Sequence, residues 1–166
     1  MKRIAAFAFA ALALSPLAHA DTVCEDVARI NTSGIHRFDS IKGAFATDEA
    51  EDELYESNAT LFGAEDCLID QHFEPRHACA WEFETEAELI AAYTQKTDAL
   101  APCLAGWERN GLLVSDPSEP YRVLAGMGYL GAGEYAVIIW EIIADFDGER
   151  DARSRYRLSI TAIDYS

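Results

Sequence analysis

Glu134-Tyr135-Ala136-Val137-Ile138-Ile139-Trp140-Glu141-Ile142-Ile143-Ala144-Asp145 is the stretch on which the fold turns. Its β-branched and aromatic residues favour an extended strand over 134–145. A strand with one wet face alternates apolar and polar residues, yet this one is apolar on both sides apart from Glu141. Tyr135, Val137, Ile139 and Ile143 fall on one side, and Ile138, Trp140 and Ile142 on the other. The neighbouring run at 154–164 does alternate, with Tyr156, Leu158, Ile160 and Ala162 against Arg155, Arg157, Ser159 and Thr161. If Trp140 shares the core face with Leu158, the opposite face carries Tyr135, Val137, Ile139 and Ile143 beside Arg155 and Arg157. An apolar strip rimmed by charge is what a protein-binding surface offers, unless a helix or the 31–46 segment folds across it.

Residues 121–129 supply a strand before the glycine turn Gly131-Ala132-Gly133, and Asp147-Gly148 starts the turn after the 134–145 strand. Together these predict a three-strand antiparallel meander. Upstream, 65–71 and 77–84 read as a hairpin around Phe73-Glu74-Pro75-Arg76. Thr85-Glu86-Ala87-Glu88 matches a capping box and opens a helix over 86–105, with Leu89, Tyr93, Leu100 and Leu104 as its apolar stripe and Gly106 as its stop. Residues 22–31 form a short helix with Val23, Val27 and Ile30 on one side, and Phe38, Ile41 and Phe45 suggest a second helical piece. No internal repeat or low-complexity tract is visible. The expected fold is α+β: an antiparallel sheet of about five or more strands packed against two or three helices.

The first twenty residues read as an address. Met1-Lys2-Arg3 is a short basic start, Ile4 to Leu14 is an unbroken apolar run, and Ala18-His19-Ala20 places small residues before a cut at Asp21. This is the pattern of a cleavable signal peptide, with an apolar run too short to span a bilayer. Residues 21–166 are then a single domain, expected in the periplasm or outside the cell. In such an oxidising compartment Cys24, Cys67, Cys79 and Cys103 are expected to form two disulfides. A helix that folded straight back along the 77–84 strand would carry Cys103 ~27 Å from Thr85 at about 1.5 Å per residue. Cys79 would lie ~20 Å from Thr85 at about 3.3 Å per residue. This favours Cys79–Cys103 with Cys24–Cys67. The competing pairing joins Cys67 to Cys79 across the hairpin and Cys24 to Cys103 between helices.

With 13 Lys and Arg against 29 Asp and Glu, the chain has a net charge of -16. That excludes a nucleic-acid binder, which needs cations against phosphate, and opposes docking on anionic lipid. The acidic stretch Asp48, Glu49, Glu51, Asp52, Glu53 and Glu56 is a candidate landing site for a basic partner.

Chemistry has little to stand on. There is no GxSxG, HExxH or SxxK motif and no CxxC, and Cys67, His72, His77 and Cys79 match none of the usual zinc spacings. Asp145-Phe146-Asp147-Gly148-Glu149-Arg150-Asp151 resembles the start of a calcium loop but lacks its third acid before the Gly and its later Glu. No catalytic residue, metal or cofactor is therefore expected. The expectation is a small acidic binding protein, inhibitor- or immunity-like, with a basic protein as partner. One alternative is a small envelope enzyme built from scattered carboxylates with His72 or His77. Another is an envelope protein with no tight binding activity.

Overall fold

The computed structural model describes residues 17–46, 53–64, 66–112, 121–132, 137–147 and 155–165. Its centre is one eight-stranded antiparallel sheet. In chain order the elements are α1 (Leu17–Gly34), a 3-10 turn (Asp39–Ile41), β1 (Lys42–Phe45), β2 (Leu54–Ser57), β3 (Cys67–Asp70), β4 (Arg76–Phe83), α2 (Glu86–Leu100), β5 (Glu108–Gly111), β6 (Tyr121–Ala132), β7 (Val137–Asp147) and β8 (Arg155–Asp164). The strand order β1-β2-β3-β4-β8-β7-β6-β5 means that a helix followed by a four-strand meander occurs twice. The two meanders are joined edge to edge by their last strands. That seam pairs Arg76 with Ile163 at one end and Phe83 with Tyr156 at the other.

This corrects the expectation of a sheet packed against two or three helices. The sheet dominates, and among the described residues there are only two α-helices. The helical piece expected around Phe38, Ile41 and Phe45 is a 3-10 turn running into strand β1. The reason lies in two backbone dihedrals. Arg37 and Phe38 hold left-handed backbone conformations, at φ 54° and 61°, and no helix passes through such a pair. A polar cluster fixes that corner. The Arg37 guanidinium donates to the Gln71 carbonyl oxygen at 2.8 Å, and the Gln71 amide donates back to the Arg37 carbonyl oxygen at 2.7 Å and to Asp39 Oδ1 at 3.0 Å. Those bonds from Gln71, and then from Lys42, hold the Asp39 carboxyl below its ordinary range.

Both helices lie on one face of the sheet. Val23, Val27 and Ile30 of α1 and Leu89 and Leu100 of α2 are buried in a core with Ile138, Trp140, Ile142, Leu158 and Ile160. The Thr85 capping box forms as its sequence requires: Glu88 N–H donates to Thr85 Oγ1, and Thr85 N–H donates to Glu88 Oε2, both at 3.2 Å. After α2 the chain turns through Gly106, at φ 89°, into β5. Trp107 then lies flat on β6, so close that a methyl group at Gly131 would sit 2.5 Å from its ring.

The disulfides are Cys24–Cys103 and Cys67–Cys79, so the favoured pairing of Cys24 with Cys67 and Cys79 with Cys103 is overturned. Cys67 stands directly opposite Cys79 in the β3–β4 register, with Cα atoms 4.2 Å apart. That neighbour is set by the hairpin itself. A helix retracing β4 would end near Cys79; instead α2 packs across β4, β8, β7 and β6, and the residues after it reach α1.

Candidate interaction face

Period-2 alternation divides the central strands cleanly. Trp140 pairs with Ala162, Ile142 with Ile160 and Ala144 with Leu158, so Trp140 and Leu158 do share the core face. Ile139, Glu141, Ile143 and Asp145 on β7, with Arg157, Ser159, Thr161 and Ile163 on β8, therefore face the other way. Ile163 is buried yet stands apart from the core cluster, as that placement requires. No described helix lies on this side, because both pack on the Trp140 face.

The register composes the open face. Ile139 lies between Leu130 and Ile163, Glu141 between Gly128 and Thr161, and Ile143 between Gly126 and Ser159. Farther along, Ala78 lies beside Thr161 and Leu68 beside Ala78, and Leu68 is 39% exposed. Gly128 and Thr161 flank Glu141 across the strands, and the Leu112 side chain packs over Gly126 and Gly128, so the carboxylate stands beside an apolar patch.

Two cations described on this face are already engaged. Arg76 Nε lies 3.5 Å from Asp70 Oδ2, and Arg157 Nη2 donates to Asp145 Oδ2 at 3.1 Å. No cation among the described residues is bonded to Glu141. Its charge is still felt nearby. The Tyr165 phenol titrates above its ordinary value, first because of burial, then because of Glu74, with a smaller contribution from Glu141.

Of the residues singled out from sequence, the fold brings Ile139, Ile143 and Arg157 onto this face. Val137 and Arg155 stand at the first positions of β7 and β8. Tyr135, Asp48, Glu49, Glu51 and Asp52 lie outside the described residues. Glu53 is exposed, and its carbonyl oxygen accepts the Gln71 N–H at 3.1 Å beside β2. Strands β3, β4 and β8 separate it from Ile139, so Glu53 and the apolar strip are not one site. Asp145 of the calcium-like stretch sits on β7, 1% exposed and paired with Arg157. Glu141 was visible in the sequence only as the interruption in an apolar run. Gly128 beside it becomes meaningful once the β6–β7 register is known.

The two histidines singled out from sequence lie apart in the fold. His72 belongs to the β3–β4 hairpin tip, where its ring meets that of the exposed Phe73 edge-on at 4.1 Å. His77 is fully buried, with Nε2 2.9 Å from the Ala59 carbonyl oxygen and its ring against Phe38. Burial pushes its pKa below the ordinary histidine value, partly opposed by the Ala59 carbonyl. Its other near neighbours are Cys67 and Cys79, whose sulfurs are bonded to each other.

No protein family, curated protein or solved structure matches this chain.

Proposed function

We propose that this chain is a non-catalytic protein-binding domain whose open sheet face receives a partner segment presenting Lys or Arg within an apolar surface. The observation that carries the reading is Glu141: a half-buried carboxylate between Ile139 and Ile143, beside Gly128, with no described cation bonded to it. A carboxylate in such surroundings gains more from an incoming cation than one in open water, because a charge-assisted hydrogen bond strengthens where water is excluded. The apolar patch supplies the buried area, and the net charge of -16 draws a basic partner in and speeds association more than it adds affinity. An acidic inhibitor or immunity-type protein, acting on a basic toxin or hydrolase in the periplasm or outside the cell, has this character.

The test is capture from the host's own envelope fraction with residues 21–166, in parallel with Glu141→Lys and Glu141→Gln. A stoichiometric basic protein retained at low salt, released at high salt, weakened by Glu141→Gln and lost with Glu141→Lys is the expected result. Capture that ignores salt, or that Glu141→Lys leaves intact, overturns the reading.

A further inference from the structure

The β3–β4 hairpin holds a set of buried ligand atoms that the interaction face does not use. A ring nitrogen of His77 and the sulfurs of Cys67 and Cys79 all lie within 4.8 Å of one another. Cys67 is 5% exposed, and His77 and Cys79 are fully buried. The hydrogen bond to Ala59 settles the histidine's tautomer. A carbonyl oxygen can only accept, so Nε2 carries the proton and Nδ1 keeps a lone pair. That lone pair has no hydrogen-bond partner. Leaving a buried acceptor unsatisfied costs stability. A ring N–H fixed on a backbone carbonyl is also how a metal-binding histidine is held, its other nitrogen then free for the ion.

We infer that reduction of the Cys67–Cys79 disulfide converts this cluster into a binding site for a thiophilic divalent cation of the zinc type, with Cys67 Sγ, Cys79 Sγ and His77 Nδ1 as its protein ligands. The chemistry balances. A dithiol reductant delivers two electrons and two protons, the S–S bond breaks into two thiols, and the reductant leaves as its own disulfide. The cation then displaces both thiol protons to solvent. Two thiolates and a neutral imidazole cancel the ion's double charge, and a neutral assembly is what a buried site tolerates. Three protein ligands leave a fourth position for water. In the oxidised chain the same sulfurs are spent on each other, so metal binding reports the thiol redox state.

The experiment is anaerobic titration of the chain with Co2+, read by the visible bands of tetrahedral cobalt and by thiolate-to-cobalt charge transfer, with near-ultraviolet circular dichroism following the fold. The reduced chain should take up one equivalent with both spectral signatures and the oxidised chain none. Cys24→Ala/Cys103→Ala should retain the site, and Cys67→Ser/Cys79→Ser should abolish it. His77→Gln should weaken binding by at least about 10–100-fold, the range that losing only an outer-shell partner of a ligand already costs. The inference is overturned if the reduced chain gives no such bands, or gives them only after its folded dichroism is lost. It is equally overturned if the bands survive in Cys67→Ser/Cys79→Ser or are indifferent to His77→Gln.

Discussion

Trp140 donates its indole N–H to Asn31 Oδ1 at 2.7 Å, joining the centre of β7 to the last turn of α1 across 109 residues of sequence. Trp140 is fully buried, so this is the partner its one polar atom requires. Asn31 opens the formal glycosylation sequon Asn31-Thr32-Ser33, yet its side chain is committed to the core and Ser33 is itself buried. Asn31→Ala should therefore cost about 1–3 kcal/mol, the scale for orphaning a buried donor. Urea unfolding measures the loss, and the Trp140 indole proton should shift in the NMR spectrum of the variant. A midpoint equal to the native one would remove this bond from the account.

Arg157 and Asp145 are direct cross-strand neighbours on β8 and β7, bonded at 3.1 Å, with Asp145 1% exposed and the Arg157 side chain 42% exposed. Removing the cation takes a bonded counter-charge from a carboxylate in a site largely closed to water. Arg157→Ala should destabilise by about 2–4 kcal/mol, toward the lower side of a fully buried pair because half the bridge is wet. Arg157→Lys should recover only part of this, since a point charge replaces a planar fork. Paired urea titrations of the two variants decide it.

His77 makes stability depend on pH. Its pKa is lower folded than unfolded because burial disfavours the cation. Above the unfolded value of 6.5 both states are neutral at His77 and the residue adds no slope. As pH falls below 6.5, the unfolded chain takes up a proton that the folded chain refuses, and stability drops toward the folded pKa. The urea midpoint should fall between pH 7 and about 5, and His77→Gln should flatten that limb. An unchanged slope in His77→Gln would assign the dependence to other groups.

The two disulfides differ in access. Cys24 and Cys103 are half-buried, whereas Cys67 is 5% exposed and Cys79 fully buried. Exchange requires a reductant to reach a sulfur, so Cys24–Cys103 should open first under limiting dithiothreitol. Alkylation followed by peptide mass spectrometry should label Cys24 and Cys103 well before Cys67 and Cys79. The reverse order would mean that the β3–β4 hairpin opens more readily than its burial implies.

What could be read in advance was what neighbours in sequence decide. The Thr85–Glu88 capping box, the α1 stripe of Val23, Val27 and Ile30, and the three long strands bearing Trp140 and Leu158 all follow from local periodicity and turn residues. Strands β1, β2 and β5 are four residues each and carry no apolar alternation, so each depends on the neighbour it pairs with: β5 on the long β6, and β1 and β2 on each other and on β3. The left-handed pair Arg37-Phe38 contains no glycine to announce it; its cause is Gln71, 34 residues away. The candidate face was half visible. Alternation in β8 assigned Ile139, Ile143 and Arg157 to one side, but the neighbours of Glu141, Gly128 and the Leu112 side chain packed over it, come from a register that no local signal encodes.

The position of β8 has a consequence for how the molecule comes into being. It is the last of the eight strands in chain order, yet it lies fourth from one edge, between β4 and β7. Until it is in place, the β1–β4 meander and the β5–β7 strands share no hydrogen-bonded border, and each is an open ribbon. A chain arranged this way defers its cooperative step until its final strand is available, and closes the sheet by long-range pairing that is slow by nature. The earlier strands stay unsealed until a strand of ten residues is paired between them. The strong negative charge of the chain is well suited to keeping such a waiting polypeptide from its neighbours.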